Sequence, residues 1–301
     1  MAEGAEHRIG RAWKPAPPEE VTDMKQASPT RRIFCASLGG AAATLALIAG
    51  GARPAWADMI STIKQRGRLI VGVKADYPPF GFRSPSGQIE GIEPALAADV
   101  AKRLGVKLEL VPVVASNRMQ FLEQGKIDLM IATMSDTPER RRVVDIVQPD
   151  YYASGYNLML PKSARITSWS DLKGKPVCGI QGSYYNKQVA EKFGAQVSAF
   201  AGTAEALTAL KQGRCVGFLY DDTAIQGNLL NPAWSAYEMP LDSQDALPWG
   251  LAVRKGEPEW AKFMSDVIKD WAKNGTIVQL AEQYHIKPSQ YAVDMHKKYS
   301  S

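Results

Sequence analysis

Short apolar runs and segments of helical periodicity alternate along most of the chain. "RLIVGVKA" (residues 68–75) reads as a strand, "PALAADVAKRLG" (94–105) as a helix closing at Gly105, and "VKLELVPVV" (106–114) as a strand. "NRMQFLEQG" (117–125) then reads as a short helix and "KIDLMIATM" (126–134) as a strand. A βαβαβ order implies a parallel sheet, and unbroken apolar stretches such as "LMIATM" suit strands buried on both faces. The pattern restarts after "YNLMLPKSA". "KPVCGIQG", "AQVSAF" and "CVGFLYD" predict strands, with "SYYNKQVAEKFG" and "TAEALTALKQG" as the helices between them. Two similar α/β units imply two lobes. "WGLAVRKG" (249–256) adds a strand, and "EPEWAKFMSDVIKDWAKNG" (257–275) a long amphipathic helix.

In open α/β sheets ligands bind beyond the carboxyl ends of the strands. The residues just past each strand are therefore the candidates: Lys74 to Tyr77, Ser116 to Arg118, Thr133 to Arg140, Gln181 to Tyr184, and Asp221-Asp222. Charged and hydroxyl side chains fill these places. Lys74 is the odd one, because it breaks an apolar run where the strand should finish.

Composition narrows the class. With 301 residues, 45% hydrophobic and 22% charged, the chain is long enough for one large or two ordinary domains, and disorder is a poor description of its bulk. Of the formal charge of +5, a part belongs to the first 57 residues, which hold seven Lys/Arg and five Asp/Glu and leave 29 against 26 in the other 244. That balance gives no case for a nucleic-acid partner. Paired Arg31 and Arg32 precede the uncharged "ASLGGAAATLALIAGGA" and the small-residue pattern Ala55-Trp56-Ala57. The order predicts an export signal over 1–57, cut after Ala57 and similar to the twin-arginine pattern; a retained anchor is the alternative, although the stretch is too weakly apolar for a convincing span. Cys35 precedes the apolar stretch, so it does not read as an acylation site. The long polar segment before Arg31 is compatible with a start codon further in.

Export would place Cys178 and Cys215 in an oxidising compartment. An even count there favours a disulfide, worth on the order of 3–4 kcal/mol in the loop-entropy model, over two buried thiols. No His or Cys cluster has metal-ligand spacing, and no cofactor is expected.

"GRLIVGVKADYPPFGFRSPSGQIEGIE", "KIDLMIATMSDTPERRRVVD", "DLKGKPVCGIQGS", "LKQGRCVGFLYDD" and "PWGLAVRKGEPEW" occur in the order and spacing of the extracellular solute-binding proteins, family 3. The resemblance spans residues 66 to about 286. It implies the type II periplasmic binding protein fold, α/β and two-lobed, each lobe a mostly parallel sheet flanked by helices. Lobe one would comprise 58–155 plus 249–301 and lobe two 156–248, with a two-stranded hinge near Tyr152–Asn157 and Ala246–Gly250. It implies further a monomer in the periplasm of a Gram-negative bacterium, closing on an amino acid and delivering it to the permease of an ABC transporter.

What the resemblance implies for the ligand residues agrees with the chemistry of an α-amino acid. Arg140 matches the family's carboxylate-binding arginine, and its planar fork suits two oxygens. "TPER" also reads as a helix start, with Thr137 as cap and Pro138 first, placing Arg140 on a turn whose free N–H groups favour anions. Thr133 and Ser135 match hydroxyl positions, Asp221 the ammonium acceptor, and Tyr77 an aromatic wall; Asp222 reads as the cap of the next helix. Gly182 and Ser183 form the loop that closes from lobe two. Lys74 and Arg118 are surplus, and members resembling acidic amino-acid binders carry cations at such places. Lys74, Arg118 and Arg140 against Asp221 leave about +2, which predicts glutamate or aspartate, with Ser116 assisting Arg118 at the distal carboxylate. Tyr184 departs from the pattern, which commonly has a small hydroxyl residue there, and implies a smaller pocket.

Plainer readings stand beside these. Arg140 would pair with Glu139 or Asp145, Arg118 with Glu123, Lys74 would face solvent, and Tyr77 would be a core tyrosine. If Asp76 and Asp136 face the cleft, the positive excess is cancelled and a neutral or basic ligand returns. Some proteins of this fold, the periplasmic cyclohexadienyl dehydratases, catalyse elimination in the same cleft. No nucleophile–base pair, phosphate loop or metal motif is visible here, so a binding role without catalysis is expected.

Overall fold

The computed structural model describes residues 58–301. In chain order the first part comprises α1 (Met59–Arg66), β1 (Arg68–Val73), β2 (Asp76–Tyr77), β3 (Gly81–Arg83), β4 (Ile89–Glu90), α2 (Ile92–Leu104), β5 (Lys107–Pro112), α3 (Arg118–Glu123), β6 (Leu129–Met130), α4 (Pro138–Val143) and β7 (Asp145–Ile146). The middle part comprises β8 (Tyr152–Pro161), β9 (Pro176–Ile180), α5 (Tyr185–Phe193), β10 (Gln196–Phe200), α6 (Thr203–Lys211), β11 (Gly217–Asp221), α7 (Asp222–Leu229), β12 (Tyr237–Glu238) and β13 (Gln244–Trp249). The chain then returns through β14 (Ala252–Val253), α8 (Pro258–Lys273), α9 (Thr276–Gln283) and α10 (Gln290–Ser300).

Two sheets make two lobes. Lobe one is built on the order β5-β1-β6-β14-β7 and lobe two on β10-β9-β11-β8-β12, with β13 also paired to β8. In each, three neighbouring strands are parallel and antiparallel strands are added on one side. Between the lobes β8 and β13 run side by side, Tyr152 opposite Trp249 and Ala153 opposite Pro248, as a two-stranded crossing.

Alternation along the apolar run of lobe one explains its double burial. Leu129 and Ile131 enter the main core, whereas Met130, Ala132 and Met134 pack with Val113, Leu122 and Ile146 on the opposite face. The ladder is shorter than the sequence suggests. Only Leu129–Met130 pair as strand, and the chain then turns away toward the site. A second difference concerns α2, which starts at Ile92 rather than Pro94. Proline is tolerated in a first turn, whose N–H groups lack helical partners anyway, and the earlier start places Glu93 inside.

Cys178 and Cys215 are bonded, with Cα atoms 5.6 Å apart and a sequence separation of 37. The bond ties β9 to the turn before β11 inside lobe two. The tail, unread from sequence, forms α10. It braces the crossing: Tyr291 Oη donates to the Asp150 carbonyl (3.3 Å), and the Ser289 amide donates to Tyr152 Oη (3.2 Å). The leader, with Arg31, Arg32, Cys35 and the Ala55–Ala57 cleavage pattern, lies outside the described residues. Among the described residues no helix is long and apolar enough to cross a membrane.

Candidate functional site

Strand ends from both lobes meet around a cavity of about 10 Å3, room for roughly one water molecule. Arg118, Thr133, Ser135 and Arg140 face it from lobe one; Ser183 and Asp221 face it from lobe two. These six were all expected to meet a ligand. Ala115, Tyr184, Tyr185 and Tyr220 complete the wall.

Arg140 is held as its local sequence suggests. Thr137 caps α4, accepting from the Arg140 amide at 3.4 Å, and Pro138 opens the helix. The guanidinium donates to the Ser135 carbonyl (2.7 Å) and, across the interface, to the Gly182 carbonyl (3.1 Å). Burial and the nearby Arg118 push its pKa down to about 9, so it remains cationic near neutrality. Neither Glu139 nor Asp145 takes it: Glu139 pairs with Arg142, and Asp145 with Lys255.

Arg118 is buried and donates through Nη1 to the Ala132 and Thr133 carbonyls; its Nε has no partner. Thr133 offers that carbonyl from a left-handed conformation (φ 47°). Glu93 holds the turn, accepting from the Thr133 amide (2.6 Å) and Tyr151 Oη (2.5 Å). Burial raises the Glu93 carboxyl to about 7, against its hydrogen bonds and the pull of Arg118 and Lys74.

Asp221 ends β11 and stands at the cap position of α7. It is buried, and burial lifts its carboxyl to about 6 despite the hydrogen bond from Tyr77 Oη at 2.9 Å. Asp222 is not the cap: its Oδ1 accepts from Ser154 Oγ on the crossing strand at 2.5 Å.

Four expected ligand residues stand apart from the cavity. Lys74 is buried but turned to Asp76, Nζ to Oδ1 2.8 Å, because an acid two residues on is the nearest group able to compensate a desolvated ammonium. Tyr77 is a core tyrosine, packed edge-on against Phe80 and Trp249; its ring reaches the wall residue Tyr220 from behind (centroids 5.2 Å apart), and its hydroxyl bonds to Asp221 and Thr223. Ser116 is exposed. Gly182 contributes its carbonyl to Arg140 and comes so close to lobe one that a Cβ there would lie 2.8 Å from the Ala115 carbonyl. Asp136, the other acid in question, is occupied by Arg141 and by Gln148 Nε2 at 3.1 Å.

Sequence reasoning missed Tyr185 and Tyr220 as wall residues. The signal was there, since Tyr220 immediately precedes Asp221 at a strand end and Tyr185 follows the Gly182–Ser183 loop. Among the described residues no group of three His, Cys, Asp or Glu is placed to hold a metal ion.

Comparison with known proteins agrees with this architecture. The family model described as "Bacterial extracellular solute-binding proteins, family 3" matches residues 69–287. The ABC transporter glutamine-binding protein GlnH of Bacillus subtilis is 31% identical over 234 residues, 75% of this chain and 84% of that protein. Among solved structures, a mutant of ArgBP from T. maritima superposes with a TM-score of 0.71 at 30% identity, covering 75% of this chain and 99% of the other. The ancestral amino acid-binding protein AncCDT-1, described as a precursor of cyclohexadienyl dehydratase, gives a TM-score of 0.68 at 32% identity, covering 75% and 98%.

Proposed function

Because the chain belongs to the bacterial extracellular solute-binding proteins, family 3, we propose that it is the periplasmic amino-acid-binding component of an ABC transporter and that its ligand is an acidic L-amino acid, glutamate or aspartate. The observation that carries this reading is the convergence of Arg140 from lobe one and Asp221 from lobe two on one cavity. Arg140 takes the α-carboxylate as a bidentate donor, and Asp221 takes the ammonium. The side chain then points to Arg118, whose buried, unpartnered Nε is the donor for a distal carboxylate.

Charge decides the class. Lys74 and Asp76 cancel, so Arg118, Arg140 and ionised Asp221 leave one positive charge around the cavity. A zwitterion with a neutral side chain leaves that excess in place, a second carboxylate removes it, and a cationic side chain doubles it. A second reading, an amide such as glutamine, is favoured by Glu93, which faces Arg118 and supplies a compensating charge when ionised. The glutamine-binding relative from Bacillus subtilis is in keeping with it.

A cavity sized for one water cannot admit an amino acid, so the lobes part to load and close afterward around the crossing. Binding, not catalysis, is the role this site supports; the purified chain is expected to leave prephenate unchanged. Calorimetric titration with glutamate, aspartate, glutamine and arginine tests the ligand class. Glutamate or aspartate bound tightest is the expected result, glutamine tightest selects the second reading, and arginine tightest overturns both.

A further inference from the structure

We propose that Asp76, Tyr77 and Pro78 form a clasp that holds the two lobes shut, with Lys74 as the cation that keeps Asp76 in place and Gly227 as the position that lets the lobes meet. Three consecutive residues of lobe one, the two of β2 and the proline after them, each touch lobe two. Asp76 Oδ2 accepts from the amide of Thr203, the first residue of α6, at 3.1 Å. Tyr77 Oη donates to Asp221 Oδ2 and shares a hydrogen bond with Thr223 Oγ1, both at 2.9 Å. Pro78 lies under α7 so closely that a Cβ on Gly227 would overlap its carbonyl oxygen and stand 3.0 Å from Pro79 Cδ.

All three contacts vanish when the lobes separate. They therefore act only on the closed state and bias the equilibrium toward it. Two of the three involve no group that faces the cavity, so closure has a component independent of the ligand and of its identity. This accounts for Lys74, a wholly buried ammonium with no place at the cavity. Its ion pair fixes Asp76 Oδ1 and leaves Oδ2 free for the Thr203 amide. Burial alone would raise the Asp76 carboxyl, but Lys74 and the Thr203 amide outweigh it and hold it below its ordinary value.

Gly227 gives the cleanest test. It sits inside α7 without positive φ, and the nearest atoms to an added methyl all belong to lobe one. Gly227→Ala thus improves the helix and obstructs only closure. Energy transfer between dyes on Lys102 of α2 and Lys187 of α5, both exposed, reports lobe separation in the ligand-free protein. We expect a short separation in the parent and a longer one in Gly227→Ala, with an unchanged melting temperature. Because the closed state is selectively weakened, ligand dissociation is expected to speed up roughly tenfold, and association, which needs parted lobes, to speed up as well. Asp76→Ala should act in the same direction, and Asp76→Asn less, since an amide oxygen still accepts from Thr203. A separation and dissociation rate unchanged in both Gly227→Ala and Asp76→Ala would overturn the clasp. So would slowed association with unchanged dissociation in Asp76→Ala, which would make Asp76 a capture residue. Separation is measured without ligand, so an error in the ligand assignment leaves this result untouched.

Discussion

The segments after β1 and β6 leave the same end of the same sheet, the first carrying one cation, Lys74, beside Asp76, the second three, Arg140 to Arg142, beside Asp136 and Glu139. After β1, Lys74 and Asp76 close on each other at 2.8 Å, and the pair turns to the lobe interface. After β6, Asp136 is bound by Arg141 and Gln148, which leaves Arg140 without an ionic partner and aimed at the cavity. On the proposed reading the two segments divide the work, one holding the lobes and the other the ligand. A cation serves a ligand only when the neighbouring acid is already engaged elsewhere.

The contrast breaks most sharply at Arg140. Arg140→Ala is expected to weaken amino-acid binding by about 3 kcal/mol or more, at least ~100-fold, because it removes one partner of a buried charge pair. Calorimetry giving less than a tenfold loss would take the carboxylate away from Arg140. Next in size is a pH effect set by Asp221, whose carboxyl lies at about 6. An ammonium ligand requires the carboxylate, so affinity should hold above about pH 7 and fall below 6 by up to tenfold per unit. Stability runs the other way for this group. A carboxyl raised in the folded state contributes stability that is full below its ordinary value near 3.8 and lost as pH rises through 6. Acidification from 7 to 5 should therefore weaken binding without weakening the fold through Asp221, and Asp221→Asn should flatten the binding profile in that range.

Smaller effects separate Lys74 from Arg118. Lys74→Met should leave the ratio of glutamate to glutamine affinity within about twofold of the parent, whereas Arg118→Met should shift it by roughly tenfold, the worth of one charge-assisted bond. A ratio moved by Lys74→Met would return that lysine to the ligand. Least of all, Asp136→Asn should cost about 1 kcal/mol of stability, read from urea unfolding, because Arg141 is half exposed although Asp136 is not, and an asparagine oxygen still accepts from Arg141.

Much of this was legible in the chain. The alternation of elements gave the two α/β units, and "TPER" gave the cap, the proline and the arginine of α4, since all three act within one turn. Arg118, Thr133, Ser135, Ser183 and Asp221 sit at or beyond strand ends, where topology directs a reader. Lys74 and Tyr77 occupy comparable places in sequence yet do not line the cavity, for different reasons. Lys74 pairs with Asp76 two residues on, whereas the Tyr77 hydroxyl goes to Asp221 and Thr223, brought up by the second lobe from as far as 146 residues away in sequence.

Local order therefore determined the elements, their caps, the parallel strands and the list of polar side chains at the strand ends, because each depends on neighbours within a few residues. Tertiary structure alone decided which cation stayed free for a ligand, how little room the closed lobes leave, and which backbone atoms touch across the gap. Those depend on distances between residues far apart in the chain, and a buried charge takes whichever counter-charge the fold brings nearest.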